Sequence, residues 1–516
     1  MGAALIGQEK KPPIIDLTSA SSLGKSGWVI VGTLMLATVL ANIASVGMFP
    51  QIVALSKEFG RPINQVVWTM TAFHVVATGL GGVAAALGAI FGNRRMLTVT
   101  LGLLFAGSLI AALSPNLTLL IAGRVLQGTA MAIQALAIGI ITNYWRGEAR
   151  RRAMSMIVLA MGLGALIAYL LSGLIWRTGG TWRTLFWILV VASAIDVFLT
   201  VAFIKETKRS KSVRVDYVGC LGLVVWSALV LMPVSQANSW GWGSGKVLGL
   251  LLPGIATLIL WVFWELHRPA PLIDLRVLRR MGVWQGGIVW LTIVTGVIVT
   301  AVALPYLIQT PVASGFGFGR SMFAVSLSLA VTAVVMAFAS AGATPLMRRL
   351  GAKQTMLVGM LFGLAGFGLA FAHGSLWLTL LWLAAIGAPV ALAGSASYAV
   401  AAEAVAPQQG ILVSTIYNTA ANTGAAVASA VVGYVLTLRQ VSVVVTTANG
   451  VETQLFPANE TFTWSALIVG GMALTGIAIV LSIRTKRLRE TVKAGSEGGR
   501  SSLTASVSDE ASAPVV

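Results

Sequence analysis

Residues 283–309 read VWQGGIVWLTIVTGVIVTAVALPYLIQ, a run without a single Asp, Glu, Lys or Arg. The hydrocarbon core of a bilayer is about 30 Å thick, so about 20 such residues cross it as a helix. Working outward, comparable runs lie at 27–49, 64–91, 96–113, 117–143, 153–175, 183–204, 217–236, 246–266, 321–343, 355–373, 376–402, 411–438 and 463–483. With 283–309 they predict an all-α polytopic membrane protein of about 14 transmembrane helices. An internal repeat orders them. The loop AALGAIFGNRRML (85–97) and the loop TPLMRRLGAKQTML (344–357) both put a glycine and bases on a tight turn between apolar helices. Eight spans separate the two loops where two six-helix halves would leave six, so two helices are inserted. The expected organisation is a tail at 1–26, a six-helix bundle at 27–204, an inserted pair with flanking loops at 205–282, a second six-helix bundle at 283–483 and a tail at 484–516. Both tails are polar and read as disordered and cytoplasmic. A repeated bundle pair with a central interface is the architecture of many secondary transporters.

Composition agrees. Of 516 residues 57% are hydrophobic and 10% charged, with a mean hydropathy of +0.88, whereas soluble domains carry about 25% charged residues. The net charge of +19 would suggest nucleic acid in a soluble protein, but the bases sit in alternate loops. Of 35 Lys and Arg, 27 fall in segments on one side, seven on the other (Lys57, Arg61, Arg177, Arg183, Lys246, Arg320, Arg439), and Arg124 lies within a span. That bias orients the chain with both termini cytoplasmic, in the inner or plasma membrane. Nucleic acid is not an expected partner. The single cysteine, Cys220, excludes an intrachain disulfide or a thiolate metal site. Three histidines and the lack of an acid cluster leave no metal site or serine triad, and no glycine-rich phosphate loop is present. The expectation is a non-enzyme without cofactors.

The chain resembles the major facilitator superfamily, specifically its fourteen-helix drug:proton antiporter branch. The likeness rests on GRVLQGTAMA (123–132), with Arg124, Gln127 and Gly128 in the matching places, and on GAIFGNRRML after the second span. It rests further on Trp182-Arg183 with Phe186, on Asp216-Tyr217-Val218-Gly219, and on Trp240-Gly241-Trp242 followed by PLIDLRVLRR (271–280). The resemblance implies a monomeric multidrug or antibiotic exporter. Its substrate would be a small amphipathic molecule bound between the bundles and exchanged for protons. This sequence departs from that pattern where coupling is concerned. The first-helix carboxylate falls on Ala41 beside Asn42, the loop's Asp-Arg pair is Ala89-Ile90, the second copy has Arg348-Arg349, and the fifth-helix proline is Tyr169. Those losses also suit an importer or facilitator of an organic anion, or a membrane sensor that no longer transports.

Several residues carry the candidate chemistry. A guanidinium near the bilayer interior costs at least about 2.5–3.5 kcal/mol, so Arg124 must face a cavity or a partner. It either holds a substrate anion or clamps backbone carbonyls, and with the family's carboxylate missing its partner is Asp196, Asn42 or water. Asp196 is a carboxylate inside a span, either a proton carrier or a packing partner. His74 is either a proton relay or a hydrogen-bonded core residue. Gln309, Tyr398, Asn418 and Asn422 are the polar inventory of the second half, lining a cavity or joining helices. Asn418 and Asn422 share a helix face. Trp68, Phe73 and Tyr417 line an apolar pocket, face lipid or sit in the core. Ala160, Gly164, Ala168 and Ser172 form a ladder at four-residue spacing, suited to close helix approach at a gate or in plain packing. Gly92, Arg94 and Arg95 mark the gating turn.

Overall fold

The computed structural model describes residues 24–207, 216–268, 271, 275–279, 282–371, 375–404, 410–447 and 450–483. The tails expected at 1–26 and 484–516, apart from residues 24–26, lie outside the described residues, as does part of 205–282. In chain order the helices are α1 (Lys25–Val46), α2 (Ile52–Phe59), α3 (Ile63–Val66), α4 (Trp68–Phe91), α5 (Asn93–Leu113), α6 (Leu117–Gly128), α7 (Ile133–Tyr144), α8 (Gly147–Arg177) and α9 (Trp182–Phe203). There follow α10 (Tyr217–Trp240), α11 (Gly245–His267), α12 (Val283–Gln309), α13 (Met322–Leu350), α14 (Ala352–Phe371), α15 (Leu376–Glu403), α16 (Gly410–Leu438) and α17 (Asn459–Ser482). Among the described residues 13 segments are long and apolar enough to cross a membrane. Helix α4, 24 residues without Asp, Glu, Lys or Arg, has the same character. The chain is a multi-pass membrane protein, and its surface shows why: Phe198, Leu252, Ile259, Leu260, Phe263 and Phe338 are all exposed, as suits lipid.

The helix boundaries differ from the hydropathy reading where polar residues extend a helix beyond the apolar run. Helix α8 begins at Gly147 rather than 153, because Glu148 in its first turn accepts hydrogen bonds from Arg151 at 2.6 Å and Arg152 at 3.2 Å. An acid at a helix start and bases one turn on stabilise that turn. Helix α13 runs to Leu350 rather than 343, with Arg348 and Arg349 in its last turn. The expected span 64–91 is broken near Val67, so α3 precedes α4. Helices α6 and α7 are joined by a 3-10 turn at Thr129–Ala132. The all-α expectation needs one addition. QVSVVVTT and GVETQLFP form an antiparallel hairpin, β1 (Gln440–Thr447) and β2 (Gly450–Pro457), with Val441 opposite Phe456. Alternation of β-branched residues specifies a strand rather than a loop.

Helix α1 packs on α8 and α9, α5 on α6 and α9, and α4 on α6, while α12 packs on α15, α16 and α17, and α14 on α15 and α17. The two sets meet at two seams, α8 against α13 and α4 against α16. Helices α10 and α11 pair with each other, and α10 lies along both α4 and α16. We name the two ends of the molecule by their landmarks, the hairpin end and the turn end, the latter bearing Gly92 and Gly351. Both seams are packed at the hairpin end: Gly173 lies against Phe323 and Ser326, and Gly433 against Val67. Toward the turn end, α13 exposes Val334 and Phe338, and α8 exposes Val158, Leu159 and Leu163. Both seams are therefore closed at the hairpin end.

Candidate functional site

Asn116 caps α6, accepting the Leu119 N–H at 2.9 Å, and two turns on Arg124 is fully buried. Its Nε donates to the Thr69 carbonyl at 3.0 Å. Its Nη1 donates to the Ala44 carbonyl at 2.6 Å and to Gln127 Oε1 at 2.7 Å. The guanidinium stacks on the Phe73 ring, 4.6 Å from its centroid. Gln127 in turn donates to Ser108 Oγ at 2.8 Å. A rigid, planar fork thus ties α1, α4, α5 and α6 into one unit. This corrects the expected partners: the charge is met by backbone carbonyls and an aromatic face, not by Asp196 or Asn42. Only Nη2 has no hydrogen-bond partner. Asn42 donates instead to the Thr38 carbonyl of its own helix at 2.8 Å. It packs on Gly164, where an added Cβ would come within 2.7 Å of Asn42 Cβ. Ala160, Gly164, Ala168 and Ser172 are all buried. Ser172 donates to the Gly47 carbonyl at 2.7 Å, so the ladder's contacts are with α1 and the residues after it. The α8–α13 contact falls instead on Gly173.

A polar contact crosses the α4–α16 seam. His74 Nδ1 lies 3.3 Å from Asn422 Oδ1, and Asn422 Nδ2 donates to the Asn418 carbonyl at 2.9 Å and to its Oδ1 at 3.2 Å. With the Asn422 amide oriented by those two bonds, His74 is the donor at Nδ1. His74 Nε2 is buried without a partner. Toward the turn end, Trp290, Tyr398 and Tyr417 stack edge to face or tilted, with centroids 5.8 and 4.9 Å apart. Tyr417 is fully buried, donating to the Val283 carbonyl at 2.8 Å, while Trp290 and Tyr398 are half-buried. Gln309, at the hairpin end of α12, is half-buried with Nε2 unpartnered and is not brought to this group.

At the turn end, Gly92 has φ of +102°, a backbone that L side chains rarely adopt, and a Cβ there would collide with the Glu206 carboxylate. That carboxylate accepts the α5 amides of Arg94 at 3.1 Å and Arg95 at 3.2 Å, and lies 3.6 Å from the Arg95 guanidinium. Free N–H groups at a helix start favour an anion. Thr207 Oγ1 accepts from Asn93 N and Nδ2. The loop's missing acid at Ala89 thus has a substitute from 117 positions further along the chain. Arg94 Nη2 donates to the Val201 carbonyl at 2.7 Å. In the second copy Lys353, also two residues after a glycine, donates to the carbonyls of Leu481 at 3.1 Å and Ile483 at 2.6 Å. In each half a base after the turn holds the C-terminal carbonyls of that half's last helix. Sequence reading overlooked Glu206 because it sits inside a basic cluster; its signal was being an acid there.

Asp196 is fully buried on the stripe Leu189, Ser193, Asp196 and Thr200 of α9. Both carboxylate oxygens and Thr200 Oγ1 lack hydrogen-bond partners. It lies about 21 Å along its helix from the hairpin end, against about 10 Å for Arg124. Among the described residues no three His, Cys, Asp or Glu side chains gather as a metal site.

The Major Facilitator Superfamily profile matches residues 34–343 and 289–514. An uncharacterized MFS-type transporter of Bacillus subtilis (strain 168), YcnB, is 25% identical over 64% of this chain and 69% of its own length. A multidrug resistance protein B homolog of Mycobacterium tuberculosis (strain CDC 1551 / Oshkosh) is 26% identical over 66% and 63%. The chain thus spans about two thirds of the length of these curated relatives. A crystal structure of the peptide transporter POT in complex with sulfate superposes with a TM-score of 0.64 at 14% identity, covering 89% of this chain and 94% of that one, which speaks to fold alone. The chain is a membrane transporter and belongs to the Major Facilitator Superfamily.

Proposed function

We propose that the protein is a secondary transporter that exports amphipathic small organic molecules across the inner or plasma membrane. The turn end, with 27 of the 35 bases in its segments, is taken as cytoplasmic and the hairpin end as external. Residues 27–204 and 283–483 act as the two moving bundles, with 205–282 inserted between them. The observation that carries the reading is the seam's chemistry: the His74–Asn422–Asn418 chain with the half-buried Trp290 and Tyr398 beneath it. Amides and aromatic faces suit a molecule that is part polar and part apolar. Arg124, the residue that would recommend an organic anion, is spent on carbonyls, Gln127 and Phe73. The likeness to a multidrug resistance protein B homolog points the same way.

The test is transport by the purified full chain in liposomes, using a lipophilic cationic dye and, in parallel, a small aryl carboxylate. Dye movement above that of protein-free liposomes, blocked by other amphipaths, is expected. Carboxylate movement without dye movement would replace the exporter by the anion-facilitator reading. Movement of neither would favour the non-transporting sensor.

A further inference from the structure

We infer that Asp196 with Thr200 forms a proton-binding site inside the N-terminal bundle, reached from the turn end and separate from the seam. The inference deepens the transport reading and rests on it only for the role of the proton. Asp196 Oδ1 and Oδ2 and Thr200 Oγ1 are all buried without hydrogen-bond partners. The two residues are one helical turn apart and so face the same way. A carboxylate with no donor and no cation beside it is not sustained in a low-dielectric interior, whereas the neutral acid is. The charged and titratable groups on the elements packed against α9 sit at the helix ends. On α5 these are Arg94 and Arg95, on α1 Lys25, and on α8 Glu148, Arg150, Arg151, Arg152 and Arg177; Arg183 starts α9 and Lys205 and Glu206 follow it. Tyr169 of α8 is buried.

Arg94 Nη2 rests on the Val201 carbonyl, next to Thr200, with its Nε buried and unpartnered. Glu206, part exposed, is hydrogen-bonded to the same turn. From Val201 to Asp196 is five residues, about 7.5 Å of helix axis, with the Thr200 hydroxyl between. A proton taken from water at the turn end passes by the Thr200 hydroxyl and forms the Asp196 O–H bond; release reverses it, and no other bond changes. Two side chains offer too few oxygens for a dehydrated metal cation. Because α9 packs on α1 and α5 rather than on the second bundle, proton and substrate occupy different places.

The experiment is infrared difference spectroscopy of the full chain in lipid vesicles, stepping external pH. A neutral-carboxyl C=O band that bleaches at alkaline pH is expected in the wild type. It should be absent in Asp196→Asn and displaced in frequency in Thr200→Val, with both variants melting as wild type does. A band unchanged in Asp196→Asn would overturn the site, and one unmoved in Thr200→Val would overturn the pairing with Thr200. In liposomes with an imposed pH gradient, Asp196→Asn should lose the gradient-driven part of dye accumulation. Full accumulation in that variant overturns the coupling role. If wild type moves no dye, the transport reading fails while the infrared result still decides the site.

Discussion

Breaking the His74–Asn422 contact should loosen the hairpin end by a measurable factor. Hydrogen bonds between membrane-buried helices contribute on average about 0.6 kcal/mol and at most about 1.7 kcal/mol. With about 1.4 kcal/mol per tenfold, Asn422→Ala should shift the closed-to-open ratio at that end by about threefold to sixteenfold. The bonds from Asn422 Nδ2 to Asn418 lie within α16, so their loss does not bear on the seam. A reporter is available nearby. A Cβ added at Gly433 lies 3.4 Å from Val67 Cβ, close to the separation a disulfide spans. With Cys220→Ser as background, Val67→Cys and Gly433→Cys should cross-link at a rate proportional to the closed population. Asn422→Ala and His74→Leu should each slow that rate by the same factor, and the double variant no further. Independent, additive slowing would show that the two side chains do not act as a unit, and an unchanged rate would refute the lock altogether.

Arg124→Lys keeps the charge but not the fork, losing at least two of the three bonds to Thr69, Ala44 and Gln127. We expect about 1–3 kcal/mol of destabilisation, read as a melting point lower by several degrees, with transport falling beside it; an unaltered melting point would remove the clamp argument. Gly92→Ala should cost about 1–3 kcal/mol from its positive-φ backbone alone, read as a lower melting point, and Glu206→Gln, isosteric with the carboxylate, should not restore it. Gly164→Leu should wedge α1 from α8 and reduce the folded yield, whereas Leu163→Ala on the exposed side should not. Reporter tags active only outside the membrane should be silent at both termini and active in the 440–457 hairpin; activity at either terminus would invert the proposed sidedness.

The membrane fold was legible because bilayer thickness turns composition into geometry. A run such as 283–309 has no soluble alternative at that length, and α12 spans Val283–Gln309. The errors fell where polarity no longer reports helix. The start of α8 is charged, yet Glu148 and its two arginines keep it helical into water. The stretch 440–457 carries no span signal because its eight-residue runs are too short to cross. Its strand alternation, with Val443 buried and Val444 exposed, was a signal of period two that a search for twenty-residue apolar runs does not see.

The site was legible in its residue types and not in its pairings. Arg124 stood out as a charge that had to be met, but sequence offers letters only for side chains, and two of its three acceptors are main-chain carbonyls. Ala44 and Thr69 carry no mark of that duty. The same blindness hid the turn-end device. The two glycine-base turns were matched as text, but the repeat is functional in a way text does not record: Arg94 and Lys353 each close the last helix of their own half. The two halves share that tether, and among the described residues the first copy adds the Glu206 carboxylate. The Glu206 carboxylate lets the first turn respond to charge. Asp196 lies on the helix which that turn holds, so the Glu206 carboxylate and the unpartnered acid belong to the same half.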